Sequence, residues 1–559
     1  MNVVALMVGL AAAVTVVAQV PNPRSPDPRC GPPPRPPGEV GPALLISGLS
    51  DHHHAVTTTN RAAQSFFDQG LRLIFAFNHA EAERSFRRAA DLDPGLAMAH
   101  WGIAFCLGAN INLPAVPDRQ KQAHAAIQQA LGLAMEASLV EREYLNALDR
   151  RYPADANADA ETVTRHAVEY AQAMRDLVLR HPDDLDAAVL LADALMNLRP
   201  WKLYALDGTP AEGTGEIVDI LSAVLKRAPD HPGANHLFIH AVEASRHPEM
   251  ALESARRLES LAPNAGHLVH MPSHVYLRVG DFAAAVRINE AAAAVDQAYV
   301  AQTGVTGWYP ALYLSHNLHF VAHGESMRGR ETAARRAAVR VSENIRPYVN
   351  TMPMLEGFLW VEPSVLARFQ RWEEILALPL PPTNAPTSIA FARFARVLAL
   401  AALGQVAKVE AERGAYLAAV AALSPDATFG LSPATHVLQV TSALIEAHLA
   451  RASGDEAGAV RHLRAAVAAQ DALAYDEPPD FYYPVRESLG AALLRAGDAA
   501  GAERVFREDL ERNPRNGRSL FGLMKALEAQ GRADAAGWVR REFESAWKDA
   551  DLPPSLDRL

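Results

Sequence analysis

The fold is indicated most clearly by residues 63–96, whose sequence is AQSFFDQGLRLIFAFNHAEAERSFRRAADLDPGL. Places 8, 20, 24, 27 and 32 of this 34-residue unit hold Gly70, Ala82, Phe86, Ala89 and Pro94. Small side chains at such places let two antiparallel helices pack closely, and the proline ends the second helix because it cannot continue one. The pattern predicts a helix hairpin.

The same pattern returns near the other end of the chain, in residues 483–516. The corresponding places there hold Gly490, Ala502, Phe506, Leu510 and Pro514. Further units are marked by their central turns, which are Gly280-Asp281-Phe282, Gly404-Gln405, Gly454-Asp455, Gly497-Asp498 and Gly531-Arg532. Between about 115 and 230 the spacing is looser, but the segments are still typical of amphipathic helices. Units that agree in spacing and residue type predict an all-α, right-handed solenoid of roughly ten helix pairs.

This arrangement resembles the tetratricopeptide repeat over nearly all of the chain after the first 43 residues. More narrowly, four segments are similar to a family of exported bacterial proteins of this fold: FFDQGLRLIFAFNHAEA, HPGANHLFIHAVEAS, GHLVHMPSHVYLRVG and YLSHNLHF. No established activity attaches to that family. The resemblance implies the fold, export, and a concave groove lined by one face of each first helix. It leaves the function open.

The charge and the cysteine content of the chain limit which partners it can bind and which residues can form a metal site. The net charge is −11 with no basic block or stripe, which argues against nucleic acid as the main partner. There are only two cysteines, Cys30 and Cys106, so disulfides do not build the fold. Any metal site must therefore rely on histidine, aspartate and glutamate.

The chain divides into segments of different character. Residues 1–18 are an apolar run typical of a secretory signal peptide, cleaved after Ala18, although they lack a basic start and a retained anchor is the alternative. Residues 19–43 are a proline-rich disordered linker. Helical repeats follow at 44–230, histidine-rich repeats at 231–345, C-terminal repeats at 346–550 and a tail at 551–559. We expect an exported protein, periplasmic or extracellular, with no stable membrane span after signal cleavage.

The histidine-rich repeats hold the most distinctive residues of the chain, because nine of its 21 histidines lie between 236 and 323. Eight of them recur at places 2, 5 or 9 of three consecutive first helices: His236, His240, His267, His270, His274, His316, His319 and His323. Residues at i, i+3 and i+7 share one helical face. Because neighbouring helices stack at about 8–10 Å, imidazoles of adjacent helices can converge on shared ions.

Imidazole is the usual protein ligand for copper and zinc, whereas calcium and magnesium prefer oxygen. Two histidine triplets on neighbouring helices suit a dinuclear site, with copper the first candidate and zinc the second. Glu243 follows His240 by one helical turn, where it is a candidate ligand, partner behind a ligand, or general base. Copper would indicate oxidation chemistry. Zinc would indicate hydrolysis with Glu243 as the proton-transfer group.

Other interpretations stay open at this level. The histidines could instead form a metal-free groove that binds a small-molecule or peptide ligand, as a scaffold does, or be copies of a packing residue. Pro272 predicts a kink or a late helix start within the middle triplet. The tract His52-His53-His54 could fold back as further ligands or stay exposed. Tyr276, Tyr309 and Tyr313 could bond a substrate or merely pack between repeats.

Several motifs of common enzyme classes are missing from the sequence. There is no GxxxxGK[ST] phosphate loop, no Rossmann glycine pattern after a strand, no GxSxG elbow and no HExxH zinc-protease motif. The histidine stripes therefore remain the one candidate site that the sequence offers.

Overall fold

The computed structural model describes residues 43–155 and 157–559. The predicted signal peptide, residues 1–18, and all but the last residue of the predicted linker, residues 19–43, lie outside the described residues. In the part of the chain that the structure describes, no helix is both long enough and apolar enough to span a bilayer.

Helices make up nearly all of the regular structure. The first third contains α1 (Arg61–Phe75), α2 (His79–Leu92), α3 (Ala97–Leu107), α4 (Pro117–Gly132), α5 (Leu139–Asp149), α6 (Ala160–Arg180), α7 (Leu185–Met196) and α8 (Thr214–Arg227). The middle contains α9 (Pro232–Val242), α10 (Leu252–Leu261), α11 (Gly266–His270), α12 (Pro272–Arg278), α13 (Phe282–Thr303), α14 (Ser315–Met327), α15 (Glu331–Ile345), α16 (Val361–Arg368) and α17 (Trp372–Ala377).

The last third contains α18 (Pro386–Ala402), α19 (Val406–Ala421), α20 (Ala434–Ala452), α21 (Glu456–Asp471), α22 (Val485–Arg495), α23 (Ala499–Arg512), α24 (Gly517–Ala529) and α25 (Ala533–Ala546). Short 3₁₀ segments lie at Pro248–Ala251, Pro353–Trp360 and Leu556–Arg558, and a π-helical turn lies at Pro310–Leu314. Two short strands, β1 (Thr428–Phe429) and β2 (Ser432–Pro433), pair antiparallel.

Consecutive helices pack against each other as hairpins, from α1 on α2 to α24 on α25. Because α11 and α12 together form one first helix that packs on α13, the described residues contain twelve such hairpins. The predicted all-α solenoid of tetratricopeptide type is confirmed. The sequence indicated roughly ten pairs, since the turns of the early hairpins between α4 and α8 lack the central glycine that marks most of the later ones.

Two glycine–phenylalanine–glycine contacts explain the repeat pattern. Phe86 is fully buried between Gly70 of its own hairpin and Gly102 of the next, where an added Cβ would lie 2.6 Å and 2.5 Å from the Phe86 ring. Phe506 is held in the same way between Gly490 and Gly522. The phenyl ring fills the space that the missing side chains leave, so each ring joins one hairpin to the next.

The glycine–aspartate turns join the two helices of a hairpin by a recurring mechanism. Gly280, with φ +76°, adopts the left-handed conformation that ends a helix. The next residue, Asp281, then accepts a hydrogen bond from the backbone N–H of Ala284 and caps the following helix. Asp498 caps α23 in the same way through Gly501.

The winding of the hairpins encloses helices α9 to α12. The loop 472–484, between α21 and α22, crosses to them, and the Arg278 guanidinium lies 5.6 Å from the centre of the Tyr475 ring. A Cβ on Gly280 would lie 2.1 Å from the carbonyl oxygen of Pro514. From the other end of the described chain, Ser47 accepts a 2.9 Å hydrogen bond from the Asn264 side chain. The histidine-rich repeats are therefore covered by both ends of the solenoid.

Candidate metal centre

Six of the predicted histidines converge in two groups of three. The first group is His236 and His240 of α9 with His267 of α11, and the second is His270 of α11 and His274 of α12 with His316 of α14. Within each group the candidate ligand nitrogens all lie within 4.8 Å of one another. Metal–nitrogen bonds are about 2.0–2.1 Å long for zinc, so a small contraction would bring each group to coordination distance.

The two groups are built on the same plan. Each takes two histidines four positions apart and a third from the next first helix along the solenoid. In the second group the helix is interrupted between them, because α11 ends at His270 and α12 begins at Pro272. The predicted break at Pro272 is present, and it leaves the Nε2 atoms of His270 and His274 only 2.8 Å apart.

The centre is buried rather than spread along an open groove. Five of the six histidines are at most 5% exposed, and His316 is half-buried. The Phe77 ring covers the first group, stacking on His267 at 5.5 Å and on His240 at 6.0 Å between ring centres. The resemblance implied that the histidine side chains line an open groove. In the structure, segments from the N-terminal and C-terminal parts of the described chain cover these side chains instead.

Partners behind His236 and His240 fix which nitrogen of each of these two rings faces inward. His236 Nδ1 lies 2.7 Å from the carbonyl oxygen of Phe75, and His240 Nδ1 lies 2.8 Å from Glu243 Oε1. Both oxygens can only accept, so each Nδ1 carries the proton and donates it. The Nε2 atoms of these two rings therefore face the centre, and His240 Nε2 has no hydrogen-bond partner among the described residues.

The second group is oriented in the same way. His270 Nδ1 donates to Asn289 Oδ1 at 2.6 Å, and the Asn289 amide is fixed because its Nδ2 donates to the carbonyl oxygen of Ala285 at 2.8 Å. His274 Nδ1 forms an ion pair with Glu243 Oε2 at 2.6 Å. One carboxylate thus holds a histidine of each group, His240 through one oxygen and His274 through the other.

Glu243 therefore lies behind the imidazoles, and this bears on its predicted role. Both of its oxygens face Nδ1 atoms, and its side chain is 2% exposed. Burial raises the pKa of Glu243, but the charges of His274 and His240 and their hydrogen bonds lower it by more, so the group stays ionised. The geometry favours a positioning role over proton transfer to a substrate.

Burial and mutual repulsion keep most of the cluster uncharged. Burial lowers the pKa of four imidazoles well below the usual range, and neighbouring imidazoles lower it further; these are His236, His267, His270 and His316. A neutral imidazole is the form that binds a metal ion. The exception is His274: burial lowers its pKa, but Glu243 and Glu477 raise it to about 10.

The contact between His270 and His274 requires a cation. His270 Nδ1 donates to Asn289 Oδ1, and His274 Nδ1 is paired with Glu243 Oε2. In two neutral rings, the two Nε2 lone pairs would therefore face each other across 2.8 Å. Such an arrangement is repulsive unless a positive charge lies between the nitrogens. In the metal-free chain that charge is a proton on His274, and a metal ion that binds both nitrogens would displace it.

The sequence did not single out Glu477. This residue belongs to the loop 472–484, is buried, and places Oε2 3.4 Å from His274 Nδ1 and Oε1 2.5 Å from the hydroxyl of Tyr475, which donates to it. A second buried carboxylate thus approaches the second group. Nothing local in the sequence identified it, since more than 200 positions separate it from His274.

The remaining predicted ligands lie outside both groups. His319 is half-buried with its ring 6.0 Å from the Phe358 ring, and burial lowers its pKa to about 4. His323 is buried, with a pKa that burial lowers to about 3. The structure does not bring these two side chains to the centre that the other six form.

The His52-His53-His54 tract folds back onto the solenoid, at a different place. Three imidazole nitrogens lie at hydrogen-bond distance from the Asp186 carboxylate. His52 Nε2 and His231 Nε2 lie 2.8 Å and 3.1 Å from Oδ1, and His54 Nδ1 lies 2.7 Å from Oδ2. These residues are spaced closely enough to hold an ion, yet each nitrogen faces a carboxylate oxygen. His231 Nδ1 accepts from the backbone N–H of Ala234, so its proton is on Nε2 and hydrogen bonds satisfy the cluster.

We expect Asp186→Ala to release this N-terminal segment. The substitution removes the acceptor of three imidazoles and leaves the buried N–H of His231 unpaired, which costs about 1–3 kcal/mol of unfolding free energy. Urea denaturation measures the loss. Asp183→Ala is the control, because that side chain is 94% exposed. If the two substitutions lowered the free energy of unfolding equally, Asp186 would not hold the N-terminal segment in place.

No family model matches the chain. An uncharacterized protein of Aquifex aeolicus (strain VF5) is 34% identical over 73 residues, which is 13% of this chain and only 10% of that protein. This match is too short to assign the chain to a family.

Solved structures of similar fold include the human IFIT1 dimer with m7Gppp-AAAA, which is 11% identical with a TM-score of 0.34 over 82% of this chain and 90% of its own. Yeast Tom70 is 10% identical with a TM-score of 0.30 over 86% and 90%, respectively. The hetero-tetramer Cut9–Hcn1 of the APC/C is 13% identical with a TM-score of 0.30 over 87% and 88%. These values carry no inference about ligands.

Proposed function

We propose that this chain is an exported metalloprotein that binds two transition-metal ions, copper in the first place and zinc in the second. One ion takes the Nε2 atoms of His236, His240 and His267. The other takes those of His270, His274 and His316. The observation that carries the proposal is the convergence of six histidines in two groups of three, with the candidate ligand nitrogens of each group within 4.8 Å of one another.

The donor set supports a transition metal. Six imidazoles without a thiolate suit copper or zinc, and the buried carboxylates stand behind the imidazoles rather than in front of them. Histidine ligands in metal sites commonly donate their other N–H to a carboxylate or a backbone carbonyl, which fixes the ring and raises its basicity. His236, His240, His270 and His274 all have such a partner or an amide equivalent.

The type of reaction that the centre could support depends on which metal ion it binds. Three ligands for each ion leave an open position, as catalytic sites require. Copper at both positions would support oxidation of a small substrate, and zinc would support hydrolysis by metal-bound water. Export to the periplasm or beyond, which the sequence resemblance implies, is part of the proposal.

Titration of the tag-free, chelator-treated chain with Cu²⁺ or Zn²⁺ tests the proposal. We expect two equivalents to bind and X-ray absorption to find nitrogen ligands at about 2.0–2.1 Å for zinc. Absence of uptake, or a coordination shell of oxygen atoms alone, would contradict it. Peptide binding in the absence of both metals would then favour a scaffold.

Glu243→Gln is expected to weaken metal binding about 10- to 100-fold. The glutamine oxygen can accept from only one of His240 and His274, and its amide cannot accept from the other. Competition with a chelator of known affinity measures the change. Glu249→Gln is the matched control, because Glu249 pairs with the exposed His247 at 3.0 Å outside the centre. A Glu243→Gln protein with unchanged affinity would exclude this positioning role.

A further inference from the structure

A row of tyrosine rings leads away from the first histidine group. The Tyr313 ring centre lies 4.9 Å from that of His267, Tyr309 stacks on Tyr313 at 4.9 Å, and Tyr299 meets Tyr309 edge-on at 5.5 Å. Tyr313 and Tyr309 are buried, whereas Tyr299 is half-buried. The row is thus a continuous path of aromatic contacts from a candidate ligand to a side chain that reaches solvent.

The hydroxyls of Tyr309 and Tyr299 point at carboxylates instead of at the centre. Tyr309 donates to Asp296 Oδ1 at 2.9 Å, and Tyr299 donates to Glu81 Oε2 at 2.9 Å. The predicted role of Tyr309 as a donor to a substrate in the centre does not fit this orientation. Tyr276 likewise donates to Glu259 at 2.6 Å, away from the centre.

Asp296 is an unusual partner because it is 1% exposed and no cation lies beside it among the described residues. Its side-chain hydrogen bonds come from Tyr309 and from Asn317 Nδ2, the latter at 2.7 Å to Oδ2. Burial raises the pKa of Asp296 to about 7, although both hydrogen bonds lower it. The carboxylate is therefore able to hold a proton near neutral pH, at hydrogen-bond distance from a phenol.

From this geometry we infer that Tyr313, Tyr309 and Tyr299 form an electron path between the histidine centre and the protein surface, with Asp296 as the proton acceptor of Tyr309. The inference rests on the proposed function, with copper as the metal. A strong one-electron oxidant at the surface, such as a ruthenium(III) polypyridyl complex, removes an electron from the row. As Tyr309 is oxidised, its phenolic proton moves to Asp296 Oδ1 and a neutral tyrosyl radical remains.

The electron that leaves the tyrosine row is replaced by one from the metal. Copper held by the histidine centre would supply one electron to the radical and pass from Cu⁺ to Cu²⁺, and the proton would return from Asp296 to the phenolate oxygen of Tyr309. The sum of the steps is the transfer of one electron from Cu⁺ to the external acceptor. A phenylalanine at 309 breaks the path, because it has no hydroxyl proton to release and is much harder to oxidise.

Flash photolysis of the Cu⁺-loaded chain with tris(bipyridine)ruthenium and a sacrificial quencher tests the path. The flash produces the ruthenium(III) acceptor, and the growth of the Cu²⁺ electron paramagnetic resonance signal gives the transfer rate. We expect Tyr309→Phe to slow this rate about tenfold or more at equal copper content. Tyr416→Phe is the control, since Tyr416 is a buried tyrosine bonded to Thr441 and Ser442 at 2.8 Å and 2.7 Å.

The outcomes separate the two proposals. Equal rates in wild type and Tyr309→Phe, with copper bound, would overturn the electron path and leave the metal centre intact. Failure of the wild-type chain to bind copper would overturn the proposed function, and the path with it. An Asp296→Asn variant that keeps the rate of the wild type would exclude Asp296 as the proton acceptor, because an amide oxygen is a far weaker base.

Discussion

The double substitution His270→Ala with His274→Ala is expected to abolish metal binding at the second group. Two of its three ligands disappear, and the remaining His316 is half-buried and cannot hold an ion alone. A chain that bound two equivalents should then bind one. Metal at 100 times its dissociation constant stabilises a protein by about 2.7 kcal/mol, so the metal-dependent rise in Tm should shrink accordingly. Elemental analysis and thermal denaturation with and without metal measure both effects.

The matched control replaces two histidines outside the centre. The side chains of His53 and His247 are 57% and 70% exposed, so His53→Ala with His247→Ala removes the same number of imidazoles. This variant should keep both ions and the full rise in Tm. If instead the His270→Ala/His274→Ala variant kept all of its metal, the second group would not be a metal site.

Phe86→Ala is expected to produce the largest loss of fold stability. The ring is fully buried between Gly70 and Gly102, and neither glycine has a side chain that could fill the space. Removing a buried phenyl ring costs about 3–5 kcal/mol. Because each hairpin of a solenoid depends on its neighbours, the loss should be seen first as faster hydrogen exchange in α1 to α3.

Leu179→Ala provides the reference for this substitution. That side chain is 79% exposed on α6, so its truncation should change the free energy of unfolding by no more than about 0.5 kcal/mol. A Phe86→Ala protein with the stability of Leu179→Ala would show that the ring does not join the two hairpins.

Much of the fold is readable from the sequence because its stability is local. One hairpin can be predicted from Gly70, Phe86 and Pro94 without knowledge of the rest of the chain. Another can be predicted in the same way from Gly490, Phe506 and Pro514. Counting the hairpins is harder. The connections between α4 and α8 are irregular, and no repeated glycine–aspartate turn marks them.

The candidate centre was predictable where it follows the repeat register. His236 and His240, and the interrupted pair His270 and His274, are four positions apart in consecutive repeats. The partition into groups was not predictable, because it depends on how α9, α11 and α14 stack. As a result His267 joins the histidines of α9, while His319 and His323 stay outside.

The partners behind the ligands were the least predictable feature. The carbonyl oxygen of Phe75 has no signature in the sequence, and Glu477 reaches the centre only because the loop 472–484 crosses the solenoid. Asn289 had one available signal, as one of two buried polar residues, with Asp296, on the mainly apolar buried face of α13. The burial of the histidines follows from the same long-range closure.

The decisive measurement is the metal content of the chain as it is isolated from its own compartment, without a histidine tag or chelator. We expect two equivalents of copper, or of zinc, for each chain. A metal-free protein that also fails to take up added copper or zinc would contradict it.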